Sequence, residues 1–149
     1  MQNPARDGNA TPSASTDVIC VVDDDSSVRK SVARLLQSAG LDVHVFSEAR
    51  VFLEFLAANP VRVVVLDVWM AGMSGMELLV HLCARSPKTR AIFITGHDDR
   101  AAQRTVMAAG AFAFLIKPFD DDELLVEVNR ARNIPYPGPA DSRASRRGA

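Results

Sequence analysis

The residues with chemical potential in this 149-residue chain stand in a revealing order. Asp23, Asp24 and Asp25 follow one short apolar run, Asp67 a second, Thr95 a third, and Lys117, followed at once by Pro118, a fourth. Carboxylates gathered in one place repel one another, and at least one would tend to take up a proton. A hard divalent cation removes that difficulty, and Mg2+ suits two carboxylates with waters and a carbonyl. A lysine charge and a threonine hydroxyl on the other side complete the equipment for accepting a phosphoryl group. Asp is a nucleophile in such transfers, giving an aspartyl phosphate, while cation and lysine neutralise the phosphoryl oxygens. Each residue alone has a plainer role. Asp25 or Ser26 would cap a helix, Asp67 could be a loop acid, and Lys117 a solvated lysine. The specific signal is the joint pattern of strand ends, each bearing a polar type that this chemistry needs.

That pattern needs elements to bring the ends together. Short β-branched runs occur at residues 18–22, 43–46, 61–66, 91–94 and 113–116, several of them apolar at nearly every position. Such runs suit strands buried on both faces of a parallel sheet. Between them, Val28, Val32, Leu35, Leu36 and Ala39 make a helical stripe stopped by Gly40. Similar stripes run through Ala49, Phe52, Leu53 and Leu56, through Leu78, Leu79, Leu82 and Cys83, and through Leu124, Leu125, Val128 and Ala131. The stripe over residues 99–109 is the weakest, built from Ala102, Val106 and Ala109. Five strand–helix units joined by right-handed crossovers predict an α/β fold, a doubly wound (βα)5 parallel sheet. In the flavodoxin-like order 2-1-3-4-5, Asp23 and Asp24 face Asp67 across the point where strand order reverses, with Thr95 and Lys117 beside them.

Composition narrows the function classes. Seventeen basic and 18 acidic residues give a net charge of −1, with no basic stripe inside the folded part, which argues against direct nucleic-acid binding. No apolar run approaches the ~20 residues of a membrane helix. Residues 1–16 carry no secretory signal pattern and lack aliphatic periodicity, so they are expected to be a disordered leader. Two cysteines, Cys20 and Cys83, make no disulfide framework, and a reducing, cytoplasmic setting is expected. A domain over residues 17–132 then leaves residues 133–149 as a flexible Pro- and Arg-containing tail.

At Val21-Val22-Asp23-Asp24-Asp25, Val65-Leu66-Asp67, residues 73–78 (MSGMEL), Ile94-Thr95-Gly96-His97 and Lys117-Pro118-Phe119, the sequence resembles the receiver domain of two-component response regulators. The wording near Val28-Arg29-Lys30-Ser31 and Thr95-Gly96-His97 resembles the FixJ-type branch. The resemblance implies that Asp67 accepts a phosphoryl group from a phosphohistidine of a sensor histidine kinase. It implies that Asp24 and Asp67 ligate Mg2+, with Asp23 holding metal-bound water and the main-chain carbonyl of Trp69 completing the sphere. Lys117 would contact the phosphoryl group through a position whose bond to Pro118 is cis, and Thr95 and Phe114 would be the switch pair. The output would be an unidentified protein partner, or a homodimer formed through the fourth helix, fifth strand and fifth helix. The domain would be a phospho-acceptor, self-catalysing its own phosphotransfer and dephosphorylation, rather than an enzyme in the usual sense.

Two departures from the pattern stand out. The position two after Asp67, usually polar or charged, is Trp69, and the position four after, usually proline, is Ala71. Trp69 either packs on the loop or a partner, or its bulk, with His97, alters water access to the phosphoryl group. Ala71 frees a backbone torsion that proline would lock. No output-domain pattern follows Arg132, so a stand-alone receiver or part of a larger regulator is expected. The competing reading is a phosphorylation-independent pseudo-receiver acting as a protein-binding module.

Overall fold

The computed structural model describes residues 17–96 and 98–134. Five strands, β1 (Val18–Val22), β2 (Asp42–Phe46), β3 (Val63–Leu66), β4 (Arg90–Thr95) and β5 (Ala113–Ile116), alternate with five helices. The helices are α1 (Ser26–Ser38), α2 (Ala49–Ala58), α3 (Gly75–Arg85), α4 (Arg100–Ala108) and α5 (Asp121–Asn133). All strand pairs are parallel and their order is β2-β1-β3-β4-β5, the expected doubly wound arrangement.

Strand alternation divides the core in two. Ile19, Val21, Val63, Val65, Ile92 and Ile94 point to one face, where α1 and α5 cover them with Val32, Leu36, Leu124, Val128 and Ala131. Cys20, Val22, Val64, Leu66 and Phe93 point to the other, under α2, α3 and α4. Because β1 and β3 are covered on both sides, their runs read as continuously apolar. The edge strand β2 departs from that expectation, since Val45 is 47% exposed. The run over residues 61–66 also shortens, to Val63–Leu66. Val61 stays buried, but its carbonyl accepts the Thr89 hydroxyl at 2.7 Å rather than a ladder bond.

Local chemistry sets the helix ends. Asp25 caps α1, its carboxylate accepting from the Ser27 N–H at 2.9 Å. Ser74 and Glu77 form a reciprocal capping box at the start of α3, and Asp99 caps α4 by accepting from the Ala102 N–H. The α1 stop is Gly40, at φ +85°, a conformation that costs a side-chain-bearing residue. Both cysteines are free, Cys20 buried and Cys83 exposed. Burial first, and then the charge of Asp42, push the Cys20 thiol up to about 12, so it packs as an inert apolar group. Among the described residues no helix is long and apolar enough to cross a membrane.

The helices are held unequally. α1 buries Val32, Ala33 and Leu36, and α3 buries Gly75, Leu78, Leu79 and Leu82, whereas α4 buries Val106 alone. One buried side chain supplies about 1.5–3 kcal/mol, so α4 should open before its neighbours. Native-state hydrogen exchange should therefore find α4 amides exchanging at least about tenfold faster than the buried-face amides of α1. Equal protection in the two helices would show that α4 is secured by something other than its buried face.

Candidate functional site

Register brings the polar residues together. Val22 pairs with Leu66, so Asp23 and Asp67, the next residue on each strand, emerge side by side at the carboxyl edge of the sheet. Thr95 pairs with Ile116, which places Lys117 one step beyond it on the neighbouring strand. The Lys117 N–H donates to the Thr95 carbonyl at 2.7 Å, and the Lys117–Pro118 peptide bond is cis, as the resemblance implied.

Asp23 is fully buried. Its Oδ1 accepts the Asp25 N–H at 2.9 Å, while its Oδ2 is buried with no protein hydrogen-bond partner. A buried carboxylate oxygen without a partner is costly unless a cation or bound water meets it. Burial is the main reason that the Asp23 carboxyl sits above the ordinary range. The Asp25 amide opposes this, the charge of Asp67 adds to it, Lys117 opposes it, and Asp24 adds a little more. Asp23, Asp24, Asp67 and Lys117 thus lie within electrostatic reach of one another.

The loop after β3 grips the other two acids. The Trp69 N–H donates to Asp67 Oδ1 at 3.1 Å, and the Ala71 N–H to Asp24 Oδ2 at 3.0 Å. Arg29, one turn into α1, pins the Asp23 carbonyl from behind at 2.8 Å. Gly75 opens α3 against Asp67; a Cβ there would collide with the Asp67 carbonyl and come within 3.0 Å of the Phe93 ring. Among the described residues, no group of three His, Cys, Asp or Glu side chains is arranged to hold a metal ion by itself. The donors are hard oxygens with one orphaned carboxylate oxygen among them, which fits a cation that keeps several waters, such as Mg2+.

Thr95 is buried at the α4 side of the sheet edge. Phe114 is half-buried and stacks on Phe93, with ring centroids 6.5 Å apart and an interplanar angle of 26°. Trp69 is 50% exposed and lines a small cleft with Val68, Ser74, Met76, Ala102, Thr105 and Val106. His97 lies outside the described residues. Asp25 turns out to be the α1 cap, leaving Asp23 and Asp24 for the site. Three contributors were not visible as candidates: the Ala71 amide, the Arg29 guanidinium and the missing Cβ of Gly75. The first and third leave no side-chain signal, and Arg29 looks like any helical surface arginine.

A parallel sheet in this order, with acids and a cis Lys–Pro bond at its carboxyl edge, is the architecture of a signalling receiver. The chain belongs to the response regulator receiver domain family, whose model matches residues 19–129. It is 40% identical over 113 residues to the transcriptional regulatory protein FixJ of Bradyrhizobium diazoefficiens, covering 76% of this chain and 55% of that protein. It is 38% identical over 132 residues to the DNA-binding transcriptional regulator NtrC of Escherichia coli strain K12, covering 82% of this chain and 28% of NtrC. The chain thus spans between about a quarter and a half of the curated relatives it matches. Among solved structures, FixJ-N superposes with a TM-score of 0.72 at 37% identity, covering 78% of this chain and 93% of that chain. The BeF3-activated DrrB receiver domain gives 0.71 at 34% identity, covering 78% and 97%. The FixJ-type resemblance and the flavodoxin-like fold are both borne out.

Replacing Asp23 by Asn should expose the cost of its burial. A carboxyl raised above its ordinary value favours the folded state most when protonated, and that contribution is lost as pH rises through the folded-state value. The Asp23→Asn variant has no such loss, so without added cation its Tm should exceed that of the wild type by a few degrees near neutral pH. The difference should shrink toward pH 4. Thermal unfolding followed by circular dichroism checks this, and a gap that widens on acidification would contradict the burial argument.

Proposed function

We propose that the domain is a Mg2+-dependent phospho-acceptor in which Asp67 takes a phosphoryl group from the phosphohistidine of a sensor histidine kinase. The observation that carries this reading is the juxtaposition of Asp23, Asp24 and Asp67 with Lys117 at one sheet edge, with Asp23 Oδ2 buried and unpartnered. Asp24 and Asp67 would hold the cation, with Asp23 and the Trp69 main-chain carbonyl completing its surroundings. The cation, when bound, supplies positive charge to the phosphoryl oxygens and so permits an anionic nucleophile to approach an anionic group.

The chain's own residues do the rest. The Trp69 amide fixes one Asp67 oxygen, leaving the other to attack phosphorus. The new O–P bond forms as the P–N bond breaks, and the kinase imidazole departs with the bonding electron pair. Lys117 pairs with a phosphoryl oxygen on the side away from the acids. Water later attacks phosphorus, returning the Asp67 carboxylate and inorganic phosphate. With nearly two added negative charges at Asp67, the Thr95 hydroxyl and Lys117 are drawn inward, and Phe114 and α4 follow as a population shift. The receiver would occupy residues 17–132 between a leader (1–16) and a tail (133–149), act in the cytoplasm, and present α4, β5 and α5 to an output partner or a second copy.

Incubation with acetyl phosphate and Mg2+ should add one phosphoryl group to the wild type, read by intact mass. Asp67→Asn and chelation by EDTA should each abolish the adduct. Undiminished labelling of Asp67→Asn would place the acceptor elsewhere, and an unlabelled wild type would favour the protein-binding pseudo-receiver.

Trp69 sits two residues after the acceptor, half exposed, its side chain lining a cleft with Val68, Ser74, Met76, Ala102, Thr105 and Val106, and under this reading its bulk would limit water access to the phosphoryl group. Trp69→Asn should therefore release inorganic phosphate several-fold faster than the wild type once the phosphodonor is removed. An unchanged rate would assign the indole to packing or to a partner.

A further inference from the structure

Ala71 has no side-chain chemistry, yet its main-chain N–H reaches Asp24 Oδ2, a residue 47 positions away in sequence. Two residues earlier, the Trp69 N–H holds Asp67 Oδ1. One short stretch of loop therefore grips two carboxylates that arrive on different strands. The far end of the loop is tied as well, since the Gly75 N–H donates to the Val68 carbonyl at 3.0 Å and Gly75 seats α3 against Asp67. The receiver pattern places proline where this chain has Ala71, and proline has no N–H to donate. This bond is thus open to the present chain because of the residue at position 71.

An amide aimed at one carboxylate oxygen offsets part of the negative charge and removes rotational freedom from the group. A carboxylate has about four lone-pair sites on two oxygens, so the bond to Oδ2 leaves Oδ1 to a cation. Pre-set ligands bind an ion better than ligands that must first be ordered.

We propose that the Ala71 amide is a positioning group for the cation site, holding Asp24 in its ligating orientation and coupling order in the 67–71 loop to cation binding. This rests on the reading of Asp24 and Asp67 as Mg2+ ligands. It differs from that reading in assigning part of the affinity to the main chain of the loop.

Trp69, the sole tryptophan, lies inside this loop and reports on it by fluorescence. In Mg2+ titrations, Ala71→Pro, which lacks the donor, should bind the ion about tenfold more weakly than wild type, a loss of ~1.4 kcal/mol. Ala71→Gly, which keeps the donor, should stay within about threefold of wild type. Equal or tighter binding by Ala71→Pro overturns the proposal alone, whereas a wild type with no Mg2+ response overturns the site reading and the proposal with it. Should Ala71→Pro fail to fold, metal-free hydrogen exchange decides. The Ala71 amide should exchange at least about tenfold faster in Asp24→Ala than in wild type, and an unchanged rate overturns the brace.

Discussion

Like-charge repulsion at the end of an apolar sheet is the constraint around which the rest of this domain is organised. Asp23 cannot move away from Asp67, because Val22 and Leu66 behind them are fully buried and locked in register. Nor can Asp23 escape to water, being fully buried itself. What remains is to offset the charge locally, through main-chain amides at residues 25, 69 and 71 and through Lys117. The two cores on either side of the sheet keep this unfavourable arrangement from relaxing. The scaffold thus holds together groups that would separate if free, a common trait of sites that bind ions or transfer charged groups.

Much of this was legible in the amino-acid order. A strand buried on both faces must be apolar throughout, so Val63-Val64-Val65-Leu66 announced both its own burial and the position of Asp67 as the first residue beyond it. Helical stripes, the first of them stopped by Gly40, delimited the crossovers, and the weak alanine stripe of α4 correctly marked the helix with least burial. Periodicity reports burial, however, and not hydrogen bonding. Val61 is apolar and buried yet stands outside β3, and Val45 is apolar in an edge strand that leaves it 47% exposed. The site residues that escaped detection act through the main chain, as Ala71 does, or through the absence of a side chain, as Gly75 does. Residue type permits both roles, through an N–H that proline would lack and a Cβ that only glycine omits, but does not by itself name the acid each one serves. The expected leader, most of the tail and His97 fall outside the described residues, so those readings rest on sequence alone.

The two faces of the sheet are unequal in a way that bears on the proposed switching. On the α1/α5 face, Val32, Leu36, Leu124, Val128 and Ala131 bury a continuous layer against the central strands. On the opposite face α4 has only Val106 fully inside, and it is on this face that Phe114 packs against Phe93. Thr95 alternates with Phe93 along β4 and so belongs to the same side, linked to Lys117 through the β4–β5 backbone bond. Magnitudes show why that matters. One buried aliphatic side chain is worth about 1.5–3 kcal/mol, and a hydrogen bond to a charged group about the same. Under the proposed reading, a single new bond from the Thr95 hydroxyl to a phosphorylated Asp67 is therefore comparable to what keeps α4 seated. Had α4 been held as α1 is, by three buried residues, the same bond would scarcely change its population.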